Sequence, residues 1–279
     1  MKNYNGKLCL ALSNTFNLSE IEQVEKFSQH GIDGFFALYQ NYEQVARLKD
    51  KADSCGMFFQ SIHAKHHPTR SLWYDDENAY KVPDIIKDIS DTIVSAKKVG
   101  VDRVIMHSYT GIKFCADQPT LIGLKRIGEI LEVADKYGIK LCFENLEGEQ
   151  FLDATLSEYK NCKYARMCYD CGHENCYGTH KVVDKFKDKI SALHINDNMG
   201  IRSKDKTLSG ADDMHLVPFD GNVDFNRVIS LIKHAKLENE LTFELKFCKD
   251  LIADKYRQMN FDKYLSLVKT RMEKVANLL

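Results

Sequence analysis

Six apolar runs in this chain end on a histidine or an acid. FFQSIH ends at His63, RVIMH at His107, KLCFE at Glu144, RMCYD at Asp170, SALH at His194 and LTFE at Glu244. Imidazoles and carboxylates are ligands for divalent cations, and carboxylates also serve as bases that remove protons from carbon. Each run precedes a stretch of helical period, so the chain reads as repeated β-α units. In a parallel α/β barrel the side chains at the C-terminal strand ends converge on one cavity. Residues far apart in sequence would therefore meet around one pocket.

Glu144, Asp170, His194 and Glu244 form the core of that expectation. Three carboxylates and one imidazole suit Mn²⁺, Mg²⁺ or Co²⁺ at least as well as Zn²⁺. A strand-end acid can instead cap the next helix or pair with a lysine, but four in one topological position favour a shared site. A buried glutamate without a partner is costly, so the cluster implies a cation. His173 follows Asp170 by three residues in YDCGHEN, close enough to share the pocket. Asp213 and His215, in DDMHLVPFDGNVDF, can both point to one side of an extended segment and are additional metal-ligand candidates. His63 and His107 have two open readings: groups that touch substrate, or satisfied core histidines. Cys168, Cys171 and Cys176 offer thiolates, but no second C-x-x-C accompanies them, and strand alternation is taken to turn Cys168 away from Asp170. His66 and His67 are expected to be solvated loop residues.

The elements that must position these groups are visible in outline. Strands are expected at 7–12, 34–39, 57–63, 102–108, 140–145, 165–170, 191–196 and 240–245. Between them lie helical patterns, such as the face traced by Ile85, Ile86, Ile89, Ile93 and Ala96. Gly31, Gly56, Gly100 and Gly138 each stand between a helical pattern and an apolar run, where glycine can take the left-handed cap. A final helix is expected over much of 252–277. Two connections are long, 64–83 and 197–222, and loops of that length in a compact domain are usually functional. Both leave C-terminal strand ends, and Trp73 in the first is expected to close the pocket from above. The result is a (β/α)8 TIM barrel forming one domain over 1–279.

Composition limits the partners. Lys plus Arg number 39 and Asp plus Glu 40, so no global field draws the protein to nucleic acid or a membrane surface. The N-terminal segment MKNYNGKLCLALSN lacks the apolar core of a signal peptide, and no 18-residue apolar run occurs. Nine cysteines, an odd number, fit reduced thiols in the cytoplasm. An oligomer is compatible with all of this.

Taken together, SIHAKH, VIMHS, LCFENLEG, CYDCGHEN, LHINDN, DMHLVPFDGNVDF and TFEL resemble the xylose-isomerase-like barrel superfamily. That superfamily holds sugar isomerases and epimerases and the endonuclease IV type of abasic-site endonuclease. The resemblance to its ketose epimerase branch implies one divalent metal on Glu144, Asp170, His194 and Glu244, with His173 and Arg202 contacting substrate. The additional glutamate of that branch has no clean counterpart, and Gln150 occupies its spacing. The resemblance to the endonuclease branch implies three zinc ions on His63, His107, Glu144, Asp170, His173, His194, Asp213, His215 and Glu244. The favoured expectation is isomerisation or epimerisation of a small sugar or related polyhydroxy carbonyl compound. Glu144 and Glu244 would transfer the proton and the metal would steady the enediolate charge. The alternatives are the endonuclease and a non-catalytic sugar-binding barrel.

Overall fold

The computed structural model describes residues 4–246, 256 and 259–279. Its eight strands are β1 (Lys7–Ala11), β2 (Gly34–Leu38), β3 (Phe58–His63), β4 (Arg103–His107), β5 (Lys140–Glu144), β6 (Ala165–Asp170), β7 (Ile190–His194) and β8 (Glu240–Phe243). Every expected strand is present. They pair in parallel in the order β7-β6-β5-β4-β3-β2-β1-β8. The two ends of that sheet meet just beyond β7, where Ile195 bridges Phe243 in parallel and its N–H donates to Thr242 O at 2.8 Å. The ring thus closes into a (β/α)8 barrel.

Ten helices are described: α1 (Glu20–Gln29), α2 (Tyr42–Cys55), α3 (Arg70–Trp73), α4 (Val82–Val99), α5 (Leu121–Tyr137), α6 (Glu149–Glu158), α7 (Cys171–Tyr177), α8 (His180–Phe186), α9 (Phe225–Ala235) and α10 (Phe261–Ala276). In α4 the expected face is the buried one: Ile85, Ile89, Ile93 and Ala96 are each at most 2% exposed, packing on the sheet. The four glycine stops adopt φ of +65° to +74°, backbone that glycine reaches without a Cβ penalty. The part of the expected last helix over 252–255 and 257–258 lies outside the described residues.

Alternation along the strands builds the platform for the site. Val104, Met106, Leu141, Phe143, Met167, Tyr169 and Leu193 face the helix layer within the main core. Ile105, Cys142, Cys168 and Ala192 form a separate buried cluster on the opposite strand face. Each of those four stands two residues before His107, Glu144, Asp170 or His194, and a two-residue step keeps a side chain on one face. Ser61 and Thr242, both 0% exposed, underlie His63 and Glu244 in the same way. Near the other end of the barrel, Arg103 Nη1 donates to Glu240 Oε1 at 2.7 Å. The polar residues at the site end therefore rest on a dry floor. All eight described cysteines are free thiols. Among the described residues no helix is long and apolar enough to cross a membrane.

Trp73 departs from expectation. Its indole is 0% exposed, its Nε1–H donates to Ser108 O at 2.7 Å, and its ring meets Phe151 edge-on at 4.8 Å. A large apolar ring with one satisfied donor is more stable in this packing than as a lid. Gly123 of α5 makes room for it, since a Cβ there would lie 2.3 Å from Trp73 Cε3. Gly123→Ala should therefore lower stability by ~1–3 kcal/mol through overpacking, read as a shift of the urea midpoint with unchanged m value. An unaltered midpoint would mean that Trp73 can move aside.

Candidate metal centre

Glu144 is the hub. Its carboxylate is 1% exposed, yet imidazoles approach both oxygens. On Oε2 stand His63 Nε2 at 3.3 Å and His107 Nε2 at 3.2 Å. On Oε1 stand His194 Nδ1 at 2.9 Å and His173 Nδ1 at 3.4 Å. His194 Nδ1 also lies 2.9 Å from Glu244 Oε2. Strand ends supply all of these except His173. That residue sits in the first turn of α7 because Asp170 caps the helix, its Oδ1 accepting the His173 N–H at 2.7 Å. Capping and cluster membership, rival readings of Asp170 in the sequence, are thus both true of it.

The ligand-type atoms fall into contiguous groups. Those of Glu144, Asp170, His194 and Glu244 all lie within 4.8 Å of one another. The same spacing joins His63, His66 and His107 on one side and His173, Asp213 and His215 on the other. The D-x-H loop is set by an antiparallel bridge between Asp197 and Leu216 and by the Lys246 N–H donating to His215 O at 3.1 Å. His215 takes φ +47°, uncommon for a residue with a Cβ. Its Nδ1–H donates to Glu244 O at 3.0 Å, which turns Nε2 to Asp213, 2.9 Å away. His63 is oriented likewise, Nδ1–H donating to Ala64 O at 2.6 Å.

Charge adjusts to this crowding. Burial alone would push the Glu144 carboxyl up, but His194, His107 and His173 hold it well below the usual carboxylate range. Burial opposes charge on His194 and His173 too. Even so, Cys168, Glu144 and Glu244 raise the first well above its ordinary value, and Asp170 and Asp213 raise the second. Burial pushes Asp170 up to about 6, against the pull of His173, and pushes His66 down to about 3 with the help of His63 and His107. The residues fit a divalent cation. Hard oxygens and imidazole nitrogens converge, and His173 Nδ1, buried beside Glu144 Oε1, makes no hydrogen bond.

The cluster opens into a cavity of about 630 Å³ beside β1, β2 and β8, lined by Ser13, Asn14, Phe36, Gln40, His63, His66, Glu244 and Lys246 among others. A second space, of about 660 Å³, lies on the outer flank along α5 by Lys125, Glu129 and Tyr159, and no strand-end residue lines it. The former is the candidate site, because His63, His66 and Glu244 of the strand-end cluster line it.

Several positions differ from expectation. Arg202 is turned to its own loop, Nε donating to Asp212 Oδ1 at 2.8 Å and Nη2 to Ala211 O at 2.6 Å, and it does not line the cavity. Gln150 donates to Cys115 O and Asp117 O, both at 2.7 Å, tying loops together. His67 pairs with Asp88 at 3.1 Å, while His66 turns to the cavity. Cys168 faces the site after all, within 4.8 Å of Glu144 and His194. Two residues before Asp170, it shares that residue's strand face. Three further groups carried no sequence signal of a ligand kind. Asn145 accepts the Asp170 N–H at 2.8 Å and donates to Asp170 O at 2.9 Å. Asn196 donates to Asp170 Oδ2 at 2.8 Å. Lys246 stands two residues past Glu244, where its alternation with Glu244 was the available clue.

A closed parallel barrel with acids and imidazoles of ligand type gathered at the C-terminal ends of its strands defines a recognised class. The sequence signature described as xylose isomerase-like TIM barrel matches residues 24–258, and the chain belongs to that family. A xylose isomerase domain protein from Planctomyces limnophilus superposes with TM-score 0.70 at 12% identity, covering 99% of this chain and 100% of that one. D-psicose 3-epimerase from Clostridium cellulolyticum H10 gives TM-score 0.66 at 11% identity, covering 98% and 97%. At such identities these structures speak for the fold. Among sequence relatives, an uncharacterized protein of Methanocaldococcus jannaschii is 28% identical over 91% of this chain and 86% of its own length. An uncharacterized protein of Sinorhizobium fredii is 31% identical over 102 residues, 36% of this chain, and the chain spans only 30% of that relative.

The raised histidines give a pH prediction. A group whose folded pKa is raised stabilises the fold below its unfolded value, ~6.5 for histidine, and that stabilisation is lost as pH rises through the folded value. Chelator-treated protein should therefore lose thermal stability as pH rises above neutral, as His194 and His173 give up their protons. Protein loaded with Mn²⁺ should hold its melting temperature over the same range, because cation ligands are already deprotonated. Parallel melting curves for the two forms would remove the basis for a cation at this cluster.

Proposed function

We propose that this chain is a divalent-cation-dependent isomerase or epimerase of a small sugar or related polyhydroxy carbonyl compound, acting in a reducing, cytoplasmic setting. One observation carries the reading: Glu144, Asp170, His194 and Glu244 are gathered within 4.8 Å beside a cavity that suits a small ligand. Mn²⁺, Mg²⁺, Co²⁺ or Zn²⁺ held there would act as a Lewis acid, polarising a carbonyl and offsetting the negative charge that develops next to it.

The chain's own residues supply the rest. Glu144 is fixed from both sides, whereas Glu244 has 17% of its side chain exposed and lines the cavity. One carboxylate, ionised, would take the proton α to the carbonyl. The other, first protonated from solvent, would deliver its own proton to the opposite face or to the neighbouring carbon, and exchange with water would reset the pair. Carboxylates held this far down are weak bases, so they succeed only against a proton already acidified by the polarised carbonyl. Phe36 stacks on His194 with ring centroids 4.6 Å apart, excluding water from one side of that imidazole. In this reading His63, His107 and His173 would hold substrate oxygens, while Asn196 and the His173 N–H keep Asp170 aimed.

A second reading has its own support. All nine residues implied by the endonuclease resemblance lie in the three contiguous groups, with Glu144 between two of them. That layout would serve three cations and phosphodiester cleavage. A net charge of −1 offers duplex DNA no general attraction, which favours the sugar enzyme.

Glu144→Gln and Glu244→Gln should each reduce turnover of an identified sugar by ~100-fold or more, the lower range of general acid-base contributions, with the fold intact by circular dichroism. Near-normal activity in either variant would sink the two-carboxylate scheme. Cation content separates the two readings before any substrate is known. We expect one tightly held cation per chain, retained in His107→Ala. A count near three that falls in His107→Ala would establish the phosphodiesterase reading instead.

A further inference from the structure

Among the described residues, Lys246 is the one side chain lining the cavity that carries a positive charge throughout the neutral pH range. Its backbone is pinned, since its N–H donates to His215 O at 3.1 Å. Its ammonium is not. The nearest carboxylate oxygen, Asp213 Oδ2, lies 3.7 Å away, beyond the 2.7–3.2 Å of an N–H···O hydrogen bond. Asp213 is already engaged, with His215 Nε2 at 2.9 Å and His173 Nε2 at 3.3 Å. Among the described residues no acceptor takes a hydrogen bond from Lys246 Nζ. The side chain is 44% exposed, and it reaches the same space as Glu244, His63 and His66.

An ammonium has three donors and no acceptor. A lysine present only to neutralise the acid cluster would have its head seated among those acids, with its donors used. Lys246 instead holds its charge at their edge, on the side open to ligand. The same cavity is lined by Ser13, Asn14 and Gln40, neutral groups suited to hydroxyls, and by Glu20, whose carboxylate already accepts from Gln44 Nε2 at 2.8–2.9 Å. A ligand in the cavity therefore meets the acids and imidazoles of the cluster, neutral polar side chains, and one ammonium that hydrogen-bonds no described acceptor.

Resting on the sugar-enzyme reading above, we propose that Lys246 recognises an anionic substituent, so that the substrate is a phosphorylated sugar or a sugar acid rather than a neutral sugar. Phosphate monoesters and carboxylates both accept charge-assisted hydrogen bonds from an ammonium. Lys65, two residues past His63, does not compete for this role: its Nζ donates to Asp88 at 2.9 Å and it does not line the cavity.

The test uses Mn²⁺-loaded full-length wild type, Lys246→Met and Lys246→Arg, with affinities from calorimetry. Two matched pairs are titrated, ribulose against ribulose 5-phosphate and glucose against glucuronate, together with inorganic phosphate. The wild type should prefer the anionic member of one pair, and which pair responds tells phosphate from carboxylate. Lys246→Met should weaken that anionic ligand and inorganic phosphate by roughly tenfold or more, the scale of one charge-assisted hydrogen bond. The neutral sugar and the Mn²⁺ stoichiometry should be unchanged, and Lys246→Arg should retain most of the preference. Added salt should erode the wild-type preference without touching neutral-sugar binding, a readout that needs no variant. No anionic preference in the wild type, or equal losses for neutral and anionic ligands in Lys246→Met, overturns the proposal. Loss of Mn²⁺ binding or of proton transfer in the glutamate variants bears on the underlying enzyme reading and leaves the Lys246 comparison legible.

Discussion

A carboxylate removed from water must be surrounded by groups that replace the water, and Glu144 imposes that condition on the whole barrel mouth. Four imidazoles meet its two oxygens, two on each side. An isolated ion at this depth would cost several kcal/mol, and the pull of His194, His107 and His173 on its proton is the visible form of the compensation. Those imidazoles arrive from β3, β4 and β7 and from the first turn of α7. Strand registers must therefore hold to within a residue, because a slip of one would turn each side chain to the helix layer. The closing bridge at Ile195 and Phe243 matters for the same reason. It ties the strand carrying His194 to the one that leads to Glu244.

Around this hub the supports are polar, and the two that hold Asp170 are neutral amides. Asn145 clasps the backbone of Asp170 from β5 to β6 through both its N–H and its C=O. Asn196 holds the Asp170 carboxylate from the β7 side. Asp197 accepts the N–H groups of Asn198, Gly221 and Val223 at 2.9–3.0 Å, folding the long loop so that Asp213 and His215 return to the mouth. Gly172 has no alternative, since a Cβ there would fall 1.8 Å from Asn196 Oδ1. Amide supports fix a ligand's direction without adding charge to a place already crowded with it, as second-layer contacts at metal sites do.

The barrel was legible because its strands are apolar runs bracketed by glycine stops, and both signals are local. The site was legible where it follows from strand-end position, as at His63, His107, Glu144, Asp170, His194 and Glu244. What lies in connections was legible only in part: Asp213 and His215 do join His173, whereas other connecting residues turn elsewhere. Arg202 and Trp73 have the right chemistry for a pocket, but loop conformation has no period to read. One found a partner in Asp212, and the other found apolar company under α5. His66 was assigned to solvent because it follows the strand, although the chain turns it back against His63 and His107. Cys168 reaches the site by simple strand alternation, two residues before Asp170 on the same face, and needs no tertiary effect to bring it there. Asn196 and Lys246 are of types that pattern reading leaves aside.

The remaining physical question is how much positive charge the mouth holds, because that selects what enters it. Glu144, Asp170, Asp213 and Glu244 bring four negative charges when ionised. One divalent cation leaves a deficit of two, which protonated His173 and His215 balance, so Lys246 stays available to one anionic group on a sugar. Three cations would leave the same residues with an excess of two before Lys246 is counted, a field suited to a phosphodiester backbone. The two oxygens of Glu144 mark the boundary between these states. Oε1 belongs to the central group, and Oε2 faces imidazoles that either hold substrate hydroxyls or a further cation. The same nine side chains thus support either chemistry, and the occupancy of the His63 side of one carboxylate distinguishes them.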